Sequence, residues 1–131
     1  MIEKANANKA KVANAENITF IQAAITAIPL PSNTANCIIS NCVINLVPTP
    51  ADKQLVFHEI FRLLKPGGRV AISDTMARKA MSDEMKRDIA LYLGCISGAS
   101  LVSEYEDFLR QAGFKGAFYP FVIEIQLTAV S

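Results

Sequence analysis

The sequence predicts an α/β domain built on a mostly parallel sheet, with an antiparallel β pair at its C-terminal end. Three observations predict it. The run Cys37-Ile38-Ile39-Ser40 is apolar and β-branched, as in a strand buried on both faces of a parallel sheet. A helix with one apolar face follows, and Pro66-Gly67-Gly68 stops it before a second strand over Arg69 to Ser73. Near the end of the chain, Phe121, Ile123, Ile125 and Leu127 alternate with Val122, Glu124 and Gln126, the pattern of a terminal strand pair within Phe114 to Val130. Strand, helix and strand in so short a compass form a βαβ unit, whose crossover is right-handed almost without exception.

The elements follow in order. Met1 to Ala15 is rich in Ala, Lys and Glu and reads as a mostly exposed helix closed by Asn14 and Asn17. Ile18 to Gln22 is a short β-type run, followed by an irregular stretch holding Pro29 and Pro31. Thr49 is placed to cap the next helix, with Pro50 at its first position and Asp52 supplying suitable charge. Leu55, Val56, Ile60, Leu63 and Leu64 repeat at helical spacing and form its core face. Ser82, with Asp83 and Glu84, opens a helix running through Met85, Ile89 and Leu93 toward Cys95. Ser103 and Glu106 have the spacing of a capping box for a short helix ending at Ala112-Gly113.

Bulk properties narrow the function classes. With 131 residues, 51% hydrophobic and 19% charged, residues 1–131 suffice for one domain with a real core, and disorder is not expected. A net charge of +1 gives no electrostatic case for nucleic acid or an anionic membrane. No apolar run reaches the length of a bilayer span, and the polar start is not a signal peptide. Three cysteines at no disulfide-framework spacing read as reduced thiols of a cytoplasmic protein.

Two of these cysteines have distinctive neighbours. Cys42 lies in Ser40-Asn41-Cys42-Val43-Ile44-Asn45-Leu46, just past the carboxyl end of a predicted parallel strand, where open α/β sheets place ligands. Cys95 lies 53 residues later, in Gly94-Cys95-Ile96-Ser97-Gly98-Ala99. On composition alone both read as small buried hydrophobes, the common fate of a cysteine outside a disulfide. Cys37 sits mid-strand and reads as core. His58 and Glu104-Tyr105-Glu106-Asp107 read as surface, and Asp74 as a strand-end cap.

The two cysteine strings, with Leu64-Lys65-Pro66-Gly67-Gly68-Arg69-Val70-Ala71-Ile72-Ser73-Asp74 between them, resemble the catalytic domain of arsenite methyltransferases from Met1 to about Phe114. The resemblance implies an incomplete class I methyltransferase (Rossmann-like) fold. It also implies methyl transfer from S-adenosylmethionine to As(III) held by Cys42 and Cys95, the arsenic arriving free or as a thiol conjugate. Thiolates suit so soft a centre. Ile25, Thr26 and Asn41 fall where family members approach the donor, though Asn41 reads equally as a cap of the turn after its strand.

The sequence departs from the family pattern in three respects. Ala23-Ala24-Ile25-Thr26 stands in place of Gly-Glu-Ile-Glu, Asn36 stands in place of an acidic residue, and the glycine-rich donor loop does not occur among these residues. Fewer polar partners for the donor imply weak binding and impaired turnover in this chain alone. The alternative is a non-catalytic two-cysteine module for As(III) or another soft metal. A truncated sheet would leave a strand edge open to pairing, and a homodimer is therefore expected.

Overall fold

The computed structural model describes residues 1–13, 15–80, 82 and 98–115. Five elements organise them: helix α1 (Ile2–Lys9), strand β1 (Ala35–Asn41), helix α2 (Pro50–Leu63), strand β2 (Leu64–Ser73) and helix α3 (Val102–Ala112). A single 3₁₀ turn (Ile44–Leu46) joins β1 to α2. The strands pair in parallel with α2 as their crossover, in the register Cys37 to Arg69, Ile39 to Ala71 and Asn41 to Ser73. The predicted βαβ unit is therefore present.

Local chemistry explains the boundaries of α2. Thr49 Oγ1 accepts from the Asp52 backbone N–H at 3.1 Å, and its hydroxyl donates to Asp52 Oδ2 at 2.6 Å. Pro50 fills the first helical position, where no N–H is missed. The helix passes directly into β2 at Leu64, and the register shifts between Ala35 and Cys37 as Lys65 to Gly68 loops out. Gly67 turns there at φ +78°, and a Cβ on Gly68 would stand 2.8 Å from the Lys65 carbonyl oxygen. Both positions therefore favour glycine.

The core lies between α2, α3 and the inner sheet face. Phe57 and Val56 are fully buried, and Phe57 packs edge-on to Tyr105 and stacks with Phe108 at 5.5 Å. Ile38, Val70 and Ile72 meet this cluster from the sheet. At the end of α3, Gly113 adopts φ +105° beneath the Phe61 ring, which in turn packs against Phe114.

Several expectations need correction. Cys37 is exposed, not core. Among the described residues the strand is covered on one face only: Ile38 and Ser40 point inward, while Cys37, Ile39 and Asn41 point outward, with Ile39 at 78% exposure. Ile18 to Gln22 is extended but pairs in no sheet among the described residues, and α1 stops at Lys9. The α3 cap is two residues earlier than expected: the Leu101 backbone N–H donates to Glu104 Oε2, and Ser103 lies inside the helix. Tyr105 is buried at 5% exposure, so that stretch is not wholly a solvated face. The predicted terminal β pair, and the helix leading to Cys95, lie outside the described residues.

Candidate functional site

The last register pair of the sheet, Asn41 with Ser73, places Cys42 and Asp74 side by side just past the carboxyl ends of β1 and β2. The Cys42 N–H donates to the Ser73 carbonyl at 2.8 Å, extending the ladder by one bond. Its backbone then turns into the left-handed region at φ +52°, where a side chain is strained. The turn ends the strand and leaves the thiol exposed. Asn41, the residue before it, is exposed on the outer face.

A buried polar network holds this turn from below. Asn45 is fully buried, and its backbone N–H donates to Asp74 Oδ2 at 3.2 Å. Its side-chain amide donates to Asp74 Oδ1 at 2.8 Å and to the Thr75 carbonyl. Tyr105 on α3 donates toward both Asn45 Oδ1 and Asp74 Oδ2, at 3.2 Å each. Thr75 N–H completes the shell of Asp74 Oδ1 at 3.0 Å. Asp74 is thus the strand-end cap read from the sequence, with a second duty in fixing Asn45.

Lys53 on α2 joins the network from the other side. Its buried ammonium donates to the Gly98 carbonyl and, at 2.9 Å, to Ser100 Oγ. Burial holds this lysine below its ordinary range, while the charges of Glu104 and Asp74 oppose the shift. The Ala77 N–H donates to the Ser100 carbonyl, tying the chain beyond β2 to the start of α3. Asn45, Lys53, Gly98 and Ser100 escaped the sequence reading. No periodicity marks a partner 45 residues away, as Gly98 is from Lys53.

Ile25 and Thr26 occupy a tight turn closed by the Ala27 N–H on the Ala24 carbonyl. Both are half-buried, and Ile25 packs against the core cluster. The loop after them is tied to α2 through charge. Glu59 accepts from the Ile28 N–H at 2.6 Å and pairs with Arg62 at 2.7 Å. Arg62 also donates to the carbonyls of Ile28 and Leu30. Its guanidinium and the Ile28 N–H hold the Glu59 carboxyl below the usual carboxylate range, against the opposing effect of burial. His58 is exposed, as expected. Cys95 lies outside the described residues.

For a zwitterionic, hydroxyl-rich methyl donor, the described side chains expected to take part are Asn41 on the outer face and Thr26 in its separate turn. The Asp74 carboxylate oxygens each already accept two hydrogen bonds from the protein. These residues do not make a donor site by themselves, and the reactive group they present is the Cys42 thiol. Among the described residues no group of three or more His, Cys, Asp or Glu could hold a metal ion. None of the described helices is long and apolar enough to cross a membrane.

Comparison with known proteins places this geometry in a family. Residues 1–113 match the methyltransferase domain family model. The chain is 43% identical over 115 residues to an arsenite methyltransferase of Halobacterium salinarum, covering 88% of this chain and 28% of that protein. It is 34% identical over 103 residues to the human arsenite methyltransferase, covering 76% of this chain and 27% of that one. Among solved structures, it matches an arsenic(III) S-adenosylmethionine methyltransferase from Chlamydomonas reinhardtii with TM-score 0.66 and 33% identity, over 74% of this chain and 32% of that one. A [4+2]-cyclase at 20% identity and TM-score 0.62 shares the fold alone. The chain spans about a quarter of the length of the curated arsenite methyltransferases it matches. From the parallel βαβ unit, the thiol at its carboxyl edge and the match over residues 1–113, this chain belongs to the methyltransferase domain family of class I Rossmann-like α/β enzymes, whose methyl donor is S-adenosylmethionine.

Proposed function

We propose that this chain is part of an arsenite methyltransferase and supplies thiol ligands that hold As(III) for methylation. The observation that carries the reading is Cys42: an exposed thiol, set by a left-handed turn at the carboxyl edge of the sheet, within a string shared with the family. Cys95 is the second ligand. Binding exchanges oxygen for sulfur: as two S–As bonds form and two As–O bonds break, each thiol proton leaves with a hydroxide as water. Arsenic so held keeps its lone pair, and the two thiols fix its position and direction for transfer. Ile25, Thr26 and Asn41 line the side where the donor approaches.

The relatives named above favour this reading over a non-catalytic soft-metal module. Titration of the reduced chain with arsenite, followed by the fall in titratable thiol, tests it. Cys42→Ser abolishing uptake is the expected outcome; unchanged uptake by Cys42→Ser refutes it.

The site is read as working in the cytoplasm, where thiols stay reduced. The chain is also read as a homodimer, paired through the sheet. Among the described residues the sheet has two strands, so each keeps one side open to pairing, which supports an edge-to-edge dimer. The terminal antiparallel β pair stays part of the same reading, on the alternation over Phe121 to Leu127.

A further inference from the structure

Gly98 lies against the backbone of Asn45 so closely that a Cβ at this position would stand 1.9 Å from the Asn45 carbonyl oxygen and 3.0 Å from its carbon. No side chain fits there without moving one backbone or the other. The contact is held from both sides. Asn45 is fixed by Asp74, Thr75 and Tyr105, and the Gly98 carbonyl accepts from Lys53 Nζ, whose second partner is Ser100. Asn45 is three residues past Cys42, and Gly98 is three residues past Cys95.

We propose that Asn45, Gly98 and Lys53 form a positioning clamp that fixes one point of the chain three residues from each arsenic-binding cysteine, and so sets how closely the two thiols can meet. The proposal rests on the two-thiol reading above. Three residues span at most about 11 Å of backbone even when fully extended, so each cysteine is covalently tied within that reach to its own member of the Asn45–Gly98 contact. Along the chain, 52 residues lie between the two cysteines. Tethering makes the second S–As bond intramolecular, and its strength then depends on how well the tether holds the second sulfur near the first.

Gly98 is required because the approach admits no Cβ. Lys53 is required because it holds the carbonyl of that residue in place, and Ser100 keeps the ammonium aimed. Neither residue touches arsenic, and both act through the cysteines.

The test is arsenite titration of the full reduced chain carrying Gly98→Ala or Lys53→Met, each also in a Cys95→Ser background. Cys95→Ser alone is expected to weaken binding by roughly a hundredfold, the gain from linking two sites. Gly98→Ala and Lys53→Met are each expected to weaken it by about tenfold or more when both cysteines are present, and to add nothing when only Cys42 remains. Equal losses in both backgrounds would reduce the clamp to general structural support and overturn the proposal. So would parent-like binding by both variants while Cys95→Ser loses affinity. Parent-like binding by Cys95→Ser would instead refute the two-thiol reading itself. Should Gly98→Ala fail to fold, Lys53→Met introduces no new Cβ and carries the same comparison.

Discussion

At the scale of single residues, Cys42 combines a strained backbone with an exposed thiol, and the two properties can be separated. Glycine adopts φ +52° without the cost that a side chain meets there, about 1 kcal/mol. Cys42→Gly is therefore expected to unfold at higher urea than Cys42→Ser, by about 1 kcal/mol, while both lose arsenite uptake. Equal midpoints would show that the turn is not strained by its Cβ. Tyr105 is a second test. Its hydroxyl bonds Asn45 and Asp74 inside the core, so Tyr105→Phe leaves their oxygens one donor short. A loss of about 0.5–1.5 kcal/mol in denaturant unfolding is expected. Asp74 could be read as a cap from its place at a strand end; its grip on Asn45 could not, because the two are 29 residues apart.

At the scale of elements, α2 is the organiser. Its cap was legible in Thr49-Pro50 because capping is local chemistry, and Thr49→Ala is expected to cost about 1 kcal/mol. Its Glu59 and Arg62 pin the loop that follows Ile25 and Thr26, and this connection carries a pH dependence. The folded carboxyl of Glu59 gives up its proton at lower pH than an unfolded glutamate does. Between those two values the unfolded chain binds more protons, so stability rises with pH across that interval. The contribution is complete above the ordinary glutamate range and is lost as pH falls through the depressed value. Urea midpoints of the parent and Glu59→Gln should differ most near pH 7 and converge in acid; a constant gap would show that the ion pair has no part in it. The α3 start was misplaced by the sequence reading because Glu104 caps from inside the helix, with no side-chain acceptor at Leu101 to mark the end.

At the scale of the whole molecule, the two strands put their inner face on the aromatic core and leave Ile39 outward at 78% exposure. Ile39 shares that outer face with Asn41, Arg69 and Ser73, and the sheet of two strands among the described residues keeps an open edge beside it. If copies pair along that edge, sedimentation should show a dimer at high concentration, and Ile39→Lys should yield a monomer with the fold retained by circular dichroism. A monomeric parent would refute the pairing.

The sequence by itself determined the βαβ unit, the start of α2 and the flank that marks Cys42, because each depends on residues close together in the chain. The end of α2 at Leu63, before Pro66-Gly67-Gly68, came only with the pairing of β2. The match of the sequence to a methyltransferase family covers residues 1–113. Only the tertiary structure decided which face of β1 is covered, and hence that Cys37 is exposed, since strand periodicity has two equivalent faces and no preference between them. It alone brought Asn45, Lys53 and Gly98 together. Such contacts depend on how α2, α3 and the sheet pack, and packing joins residues that no short-range pattern relates.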